Sequence, residues 1–319
     1  MFRRALAAIA GTMLLLAPAC GGGGDEDAAG DGGTTTVTVG VIPIVDVAPI
    51  YLGDQQGFFE ERGIDLQMET AQGGAALLPG VTSGQFQFGF SNVTSLLIAQ
   101  NQGLGIQVVA NGNNSTGQEG ADFGAVVVPE DSPIQDAADL EGATVAVNTL
   151  ENIGTTTVNA SVREAGGDPS QVEYTELELP DMPAALSAGR VDAAWVVEPF
   201  LTITAQENAR PVAWNFVDTA PDLMIAAYFT SDEYAEQNPD VVEAFAAAVE
   251  ESLQYARENE DEIREVVPTY TEIDENLIQE LTLPVWPSEI NRDAVETLNE
   301  LAVEDGLIEE PVDLDQLLP

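Results

Sequence analysis

The chain of 319 residues contains no histidine and no lysine, so all nine of its basic residues are arginines. Without histidine it can build neither a Ser-His-Asp nor a Cys-His catalytic arrangement, and it has no imidazole to bind a metal. Without lysine it can form neither a Schiff base with pyridoxal phosphate nor a P-loop phosphate site. These two absences remove the commonest enzyme chemistries. They predict a protein without a metal or another cofactor.

Cysteine and positive charge are also scarce. The single cysteine, Cys20, excludes an internal disulfide, a zinc–thiolate cluster and an iron–sulfur cluster. The 55 acidic residues bring the net charge to −46, which excludes binding of nucleic acid through clustered basic residues. The acid excess suits a solvated surface in a saline or alkaline exterior. Steering of a cationic ligand is the alternative, but salt at roughly 0.1 M screens such a field within about 10 Å.

The N-terminal segment predicts export followed by anchoring. Residues 1–19 read as a signal peptide, because two arginines precede an apolar run that is too short to span a membrane. The sequence Leu-Ala-Pro-Ala before Cys20 resembles a bacterial lipoprotein cleavage box, with Cys20 as the lipidated residue; an ordinary secretory peptide is the alternative. Residues 20–35, rich in Gly, Asp and Thr, predict a lipidated flexible tether. We therefore expect an extracytoplasmic protein, lipid-anchored to the outer face of the bacterial cell membrane.

The body of the chain alternates between strand and helix patterns, which predicts an α/β fold with parallel or mostly parallel sheets. Strands are predicted at 37–42, 64–68, 86–90, 106–110, 123–128, 144–147, 172–174, 191–197 and 223–229. Helices are predicted at 47–61, 74–83, 92–102, 154–165, 182–188, 239–263, 274–282 and 291–304. Gly63 is expected to end the first of these helices in a left-handed conformation.

Polar residues collect where the predicted strands end, which is where ligands bind in open α/β sheets. No nucleophile and base are paired among them, so they suit a small-molecule pocket rather than a catalytic site. The candidate ligand-binding residues are Asp46, Ser91, Asn92, Asn111, Thr149, Gly154, Thr155, Thr156, Trp195 and Glu198.

Several of these residues have two interpretations. Gly154, Thr155 and Thr156 open a helix whose N–H groups could hold an oxyanion, or the threonines simply cap their own helix. Glu198 is either a pocket acceptor for an amine, amide or ring N–H, or a solvated carboxylate that caps the next helix. Trp195 is either a core residue or a platform for the ligand. A glycosidase pair of Asp46 and Glu198 has no support from their spacing.

Four segments together resemble the SsuA/THI5-like (NMT1-like) substrate-binding lipoproteins of ABC importers. They are residues 57–64 (GFFEERGI), 83–89 (SGQFQFG), 139–147 (DLEGATVAV), and 182–193 (MPAALSAGRVDA) followed by Glu198-Pro199. The resemblance extends from Val37 to Leu307. Each segment alone is a weak signal, and the order of the segments along the chain makes the resemblance specific. The family name also covers a pyrimidine-synthesising enzyme that needs histidine and pyridoxal phosphate, and that activity is not carried over.

The resemblance implies the periplasmic-binding-protein type II fold, with two α/β lobes and a ligand cleft between them. Lobe 1 would be residues 36–125 plus 224–319 and lobe 2 residues 126–223, with crossover strands near 123–130 and 218–228. Such a protein closes on its ligand by a hinge motion.

The resemblance also implies a function. The protein would be a monomeric, non-enzymatic binder that delivers a solute to an ABC permease with its ATPase. The solute would be a pyrimidine precursor of thiamine, a sulfonate or taurine, or nitrate. The two carboxylates favour a neutral or N–H-bearing heterocycle, while the threonine-rich helix start leaves an anion open. A tethered sensor for a signalling receptor and a carboxylate-only hydrolase are the alternatives.

Overall fold

The computed structural model describes residues 34–319. The predicted signal peptide, Cys20 and the predicted tether up to residue 33 lie outside the described residues. Thr35, which was predicted as the last residue of the tether, is already the first residue of a strand. In the described part of the chain, no helix combines the length and the apolar character that a membrane crossing requires.

Ten strands and eleven α-helices make up the described chain, together with short 3-10 turns. The strands are β1 (Thr35–Val41), β2 (Ile64–Thr70), β3 (Phe88–Asn92), β4 (Ile106–Asn114), β5 (Gly124–Pro129), β6 (Thr144–Val147), β7 (Glu173–Glu176), β8 (Ala193–Val197), β9 (Ala209–Ala213) and β10 (Met224–Ser231). The helices are α1 (Ala48–Gln56), α2 (Gly74–Thr82), α3 (Val93–Asn101), α4 (Ile153–Glu164), α5 (Met182–Ser187), α6 (Phe200–Gln206), α7 (Asn215–Thr219), α8 (Asp232–Gln237), α9 (Pro239–Glu258), α10 (Glu260–Val266) and α11 (Arg292–Glu304).

The strands form two five-stranded sheets, in the orders β2-β1-β3-β10-β4 and β7-β6-β8-β5-β9. In the first sheet β1 is parallel to β2 and β3, while β10 is antiparallel to β3 and β4. The second sheet repeats this scheme, with β5 as its antiparallel strand. Four strands of each sheet therefore run in the same direction and one is antiparallel, which confirms the expectation of mostly parallel sheets. The two-lobed α/β fold class is confirmed.

The chain passes between the sheets twice. It leaves the first sheet after Asn114 and enters the second at Gly124, and it returns between Ala213 and Met224. We call the first sheet with its packed helices the first lobe, and the second sheet with its helices the second lobe. The residue boundaries predicted for the two lobes stay a proposal.

Three predicted helices differ clearly from the structure. The helix predicted at 47–61 ends at Gln56, because Gly57 adopts a left-handed φ of 85° before Gly63 does so again at 72°. The helix predicted at 239–263 is divided at Asn259, whose side chain donates to the Tyr255 carbonyl. The helix predicted at 274–282 contains only a 3-10 turn, Ile278–Glu280.

The backbone of residues 278–282 binds side chains instead of forming a helix. The Arg264 guanidinium donates to the carbonyl oxygens of Ile278 and Leu281, at 2.8 and 2.9 Å. The backbone N–H of Thr282 donates to the Glu198 carboxylate at 3.0 Å. Buried backbone groups must find partners, and here these side chains supply them in place of a helical ladder.

One ion-pair cluster joins the two lobes. Arg163 on α4 of the second lobe pairs with Glu304 and Asp305 at the end of α11, which packs on α3 of the first lobe. Its Nε lies 3.0 Å from Glu304 Oε1, and the Asp305 side chain is only 4% exposed. Burial raises the pKa of Asp305 and Arg163 counteracts that rise, so the carboxylate depends on this cation.

We expect Arg163→Gln to lower the free energy of unfolding by about 1–3 kcal/mol, because Asp305 would stay buried without a cation. Urea unfolding measures the change. Arg292→Gln is the matched control, since Arg292 and Asp315 form an exposed pair that contributes about 1 kcal/mol or less. Equal losses in the two variants would contradict a stabilising role for the cluster between the lobes.

Candidate functional site

A small cavity lies between the two sheets, lined by seven residues from each lobe. The first lobe contributes Ile42, Ile44, Asp46, Phe90, Asn92, Ile225 and Ala226, and the second contributes Asn148, Asn152, Ile153, Leu179, Trp195, Val197 and Phe216. Its volume is about 30 Å³, far below the roughly 300–1,000 Å³ of pockets that hold drug-sized ligands. An organic solute could enter only if the lobes separate or side chains move.

The walls of the cavity are mostly apolar and aromatic. Trp195 on β8 and Phe216 on α7 meet edge to face, with ring centroids 6.0 Å apart and planes at 78°. Gly154, in the first turn of α4, packs against the same indole, and a Cβ at this position would lie 3.0 Å from Trp195 Cε3. The glycine therefore allows Trp195 to lie directly against α4, with one edge on the cavity.

Asp46 is the charged residue of the cavity. It follows β1 in a short 3-10 turn and is only 3% exposed. Asn113 Nδ2 donates to its Oδ1 at 3.0 Å, and Trp286 Nε1 donates to its backbone oxygen at 3.0 Å. The other carboxylate oxygen, Oδ2, accepts no hydrogen bond from the described residues. Burial raises the pKa of Asp46 to about 7, against the smaller opposing effect of its hydrogen bonds.

Two further buried polar atoms of the lining residues have no partner within residues 34–319. They are Oδ1 of Asn148, which follows β6, and Nε1 of Trp195. Together with Asp46 Oδ2, the lining residues therefore carry two buried acceptors and one buried donor whose hydrogen bonds are unmade. Buried polar groups are rarely left in this state, and a ligand is one of the ways to satisfy them.

No basic side chain lines this cavity, as far as residues 34–319 show. Six of the seven described arginines donate to carboxylates or carbonyls elsewhere: Arg62, Arg163, Arg210, Arg257, Arg264 and Arg292. The seventh, Arg190, is exposed just beyond α5. With no lysine or histidine in the chain, the Asp46 carboxylate faces the cavity without a counter-charge from the described protein.

The structure brings three of the ten predicted ligand-binding residues to the cavity, namely Asp46, Asn92 and Trp195. Asn92 also caps α3, since its Oδ1 accepts from the backbone N–H of Ser95 at 2.9 Å. The Ser95 hydroxyl in turn accepts from Asn152 Nδ2 of the opposite lobe at 2.6 Å. The side chain of Asn92 is therefore part of the contact that holds the lobes together.

Three more of the predicted residues lie away from this cavity. The Ser91 hydroxyl lies beside the start of α2, 2.2 Å from where a Cβ of Gly74 would be. Asn111 Nδ2 donates to the carbonyls of Pro287 and Glu289 at 2.9 and 3.0 Å. Thr149 lines a separate, open groove. Ligand contacts by these three residues stay predictions.

Thr155, at the start of α4, serves its own helix. Its Oγ1 accepts from the backbone N–H of Asn152 at 2.9 Å and donates to its carbonyl at 2.8 Å, which closes a capping box. Thr156 is fully buried, its hydroxyl has no partner among the described residues, and it does not line the cavity. Gly154 contacts the ring of Trp195. The self-capping interpretation therefore describes Thr155, and ligand contacts by Gly154 and Thr156 stay predictions.

Glu198 is also a buried carboxylate, but its oxygens are occupied. Thr202 donates to it from its backbone N–H at 3.0 Å and from its hydroxyl at 2.9 Å, and Thr282 N–H adds a third bond. Burial raises its pKa to about 7. Its side chain lines another cavity, together with Trp214 and Thr282. It caps α6 as one interpretation held, although it is buried and not solvated.

The sequence reasoning did not select several residues at or beside the cavity. Phe90 and Phe216 belong to apolar runs that look like any core segment. Asn113, Asn148 and Asn152 follow predicted strands, which is the signal that the selected residues share, but they were not chosen as ligand-binding residues. Asn113 lies on β4, because the strand predicted to end at residue 110 continues to Asn114.

Comparison with known proteins finds a family and several relatives. The family model described as NMT1/THI5 like matches residues 44–263. The taurine-binding periplasmic protein of Escherichia coli is 27% identical over 222 residues, 68% of this chain and 65% of the relative's length. The formylaminopyrimidine-binding protein of Halalkalibacterium halodurans is 24% identical over 238 residues, 73% of this chain and 69% of its own length. The chain thus spans about two thirds of each relative.

A solved structure matches the fold at low sequence identity. The alkanesulfonate-binding protein SsuA from Xanthomonas axonopodis pv. citri, bound to MOPS, superimposes with a TM-score of 0.75 at 16% identity. The match covers 90% of this chain and 99% of the SsuA chain. The two proteins therefore share the periplasmic-binding-protein fold.

We expect Asp46→Asn to make the free energy of unfolding less dependent on pH. The native carboxyl keeps its proton up to a pH of about 7, whereas the unfolded one ionises near 3.8. Because the native state binds more protons in this window, the stabilisation from Asp46 is complete below pH 3.8 and is lost as the pH rises through about 7.

Urea unfolding of wild type and variant between these two pH values measures the effect. The difference between their free energies of unfolding should change by up to about 1.4 kcal/mol per pH unit. Asp181→Asn, at an exposed position, is the control. The difference between its free energy of unfolding and that of wild type should stay constant with pH. A difference for Asp46→Asn that stays constant with pH would contradict the buried, protonated carboxyl.

Proposed function

This chain belongs to the NMT1/THI5-like family, and on that premise we propose that it is the solute-binding protein of an ABC importer. The observation that carries the proposal is the small cavity between the two lobes, whose lining residues Asp46, Asn148 and Trp195 each have a buried polar atom without a partner among residues 34–319. The curated relatives are binding proteins for taurine and for formylaminopyrimidine, which supports the same role.

The proposed cycle uses contacts that exist only when the lobes are together. Asn152 donates to the Ser95 hydroxyl across the cleft, and the Val45 N–H donates to the Glu198 carbonyl at 3.2 Å. Separation of the lobes breaks these bonds and opens the cavity, and a bound solute favours their return. Closure of this kind is a hinge motion about the two segments that connect the lobes.

One of the two connecting segments is held by Asp122. Its carboxylate accepts from the Ser115 hydroxyl at 2.6 Å and from the backbone N–H groups of Thr116 and Phe123 at 2.9 and 3.0 Å. These bonds fix both ends of the segment between β4 and β5. We propose that this segment is part of the hinge, since rotation of the lobes must be absorbed outside the sheets.

The solute belongs to the small organic or oxyanion class that the family transports: a thiamine-precursor-like pyrimidine, a sulfonate or taurine, or nitrate. We place the protein outside the cytoplasm, attached through lipidated Cys20 and the tether and working as a monomer. Its partners are the ABC permease and its ATPase. The lipid anchor, the tether and the oligomeric state are proposals based on sequence.

Binding without chemical change is part of the proposal. Asp46 and Glu198, the two buried carboxylates considered as an acid and base pair, line different cavities. Both Glu198 oxygens accept hydrogen bonds from threonines, so this side chain does not reach toward a solute held by Asp46. The arrangement offers recognition and no paired catalytic groups.

We expect a thermal-shift screen of the mature chain to find a solute from these classes, which mass spectrometry then recovers unchanged. A ligand at 100 times its dissociation constant adds about 2.7 kcal/mol to the free energy of unfolding. Recovery of a chemically altered solute would contradict a pure binding function.

We expect Trp195→Phe to weaken binding of that solute by about 5- to 30-fold, because the variant keeps an aromatic ring but loses the indole donor. Titration calorimetry measures the dissociation constant. Trp214→Phe is the control, since Trp214 lines the other cavity. If the two variants weakened binding of the solute equally, the solute would not bind in the cavity that Trp195 lines.

A further inference from the structure

The proposed function does not identify the chemical class of the solute. The residues that line the cavity restrict that class. We infer that Asp46 determines specificity and that the solute presents an N–H donor to its free carboxylate oxygen, as an amine or an amino-substituted heterocycle does. This inference rests on the proposed function, because it assumes that the cavity between the lobes is where the solute binds.

The first support is the fixed position of the carboxylate. Asn113 holds Oδ1 at 3.0 Å, and Trp286 holds the backbone oxygen of Asp46 at 3.0 Å. Both bonds lie within the first lobe, because Asn113 is on β4 and Val285, the neighbour of Trp286, pairs with Asn114. They therefore hold Asp46 in place when the lobes separate. Oδ2 is buried and has no partner among the described residues, so it is available to accept a hydrogen bond from a solute.

The second support is the charge of the site. A buried carboxylate without a counter-charge is costly unless it is protonated, paired or hydrogen-bonded. Every arginine of residues 34–319 lies elsewhere, so the described protein supplies no cation to this carboxylate. A solute with a cationic or strongly donating N–H would supply that partner. Above its pKa of about 7 Asp46 is ionised, and an oxyanion placed against it would then add a second negative charge and raise the cost.

The third support is the pattern of the remaining polar atoms. Asn148 Oδ1 is a second unpartnered acceptor, and Trp195 Nε1 is an unpartnered donor. Phe90 and Phe216 line the same space. A flat heterocycle with an amino group and a ring nitrogen can donate to the acceptors, accept from the indole and pack against aromatic walls. Nitrate and amine-free alkanesulfonates have no N–H for either acceptor.

Matched pairs of probes test the inference on the mature chain. The first pair is taurine and ethanesulfonate, which differ only in the amino group. The second pair is 4-aminopyrimidine and pyrimidine, and nitrate is the anion without any N–H. We expect the N–H-bearing member of at least one pair to bind about 10- to 100-fold more tightly than its partner, the range for a hydrogen bond to a charged group.

Two carboxylate variants test whether Asp46 causes the preference for the N–H-bearing probe. Asp46→Asn should reduce the preference within the responding pair by at least about 10-fold. Glu198→Gln makes the same chemical change at a buried carboxylate outside the cavity, and it should change the preference by no more than about 3-fold. Thermal unfolding without solute shows whether each variant folds. The comparison of pairs on wild type requires no variant, so it stands even if Asp46→Asn does not fold.

The outcomes separate the inference from the proposed function. Tight binding of ethanesulfonate or nitrate with no preference for N–H would overturn the role of Asp46, while solute binding itself would stand. A preference that survives in Asp46→Asn would overturn the assignment to this residue. No binding by any of the five probes would overturn the inference for amines and aminopyrimidines, while the proposed function would be decided by the wider screen.

Discussion

The two crossings of the chain between its sheets are the constraint on which the rest of the structure depends. β5 and β10 each enter a sheet antiparallel, after the chain has left the other lobe. Neither sheet can be completed without a strand delivered across the gap, so the lobes are covalently joined twice and face each other. The cavity, the Asn152–Ser95 bond and the Arg163 cluster all follow from that arrangement.

The unpartnered polar atoms of the residues that line the cavity lower the stability of the folded protein. Asp46, Asn148 and Trp195 each have one buried polar atom without a partner among the described residues, and each such group lowers stability by the cost of its desolvation. Polar groups that are unpaired in the protein can form their hydrogen bonds with a solute. Binding of the solute would therefore remove part of the cost in stability.

The sequence reasoning succeeded where local chemistry decides the outcome. The strand at 144–147 has the predicted boundaries, and helix α4 differs from its prediction by one residue at each end, because its cap Asn152 and the apolar periodicity are local signals. It failed where a distant partner decides. Residues 274–282 do not form a helix, because Arg264 and Glu198 bind their backbone. Glu198 caps the following helix through Thr202, as one interpretation held, but its bond from Thr282 comes from a distant segment.

The sequence by itself determined the α/β class and excluded chemistry based on histidine or lysine, and it included Asp46, Asn92 and Trp195 among ten pocket candidates. Composition and the positions of residues near strand ends carry that information, and both can be read without a partner residue. Only the tertiary structure decided which carboxylate is free. Asp46 and Glu198 are both buried acids after strands, but threonines fill the oxygens of Glu198 alone: Thr202 from the next helix and Thr282 from a remote segment. The contact with Thr282 depends on three-dimensional placement, which no local pattern encodes.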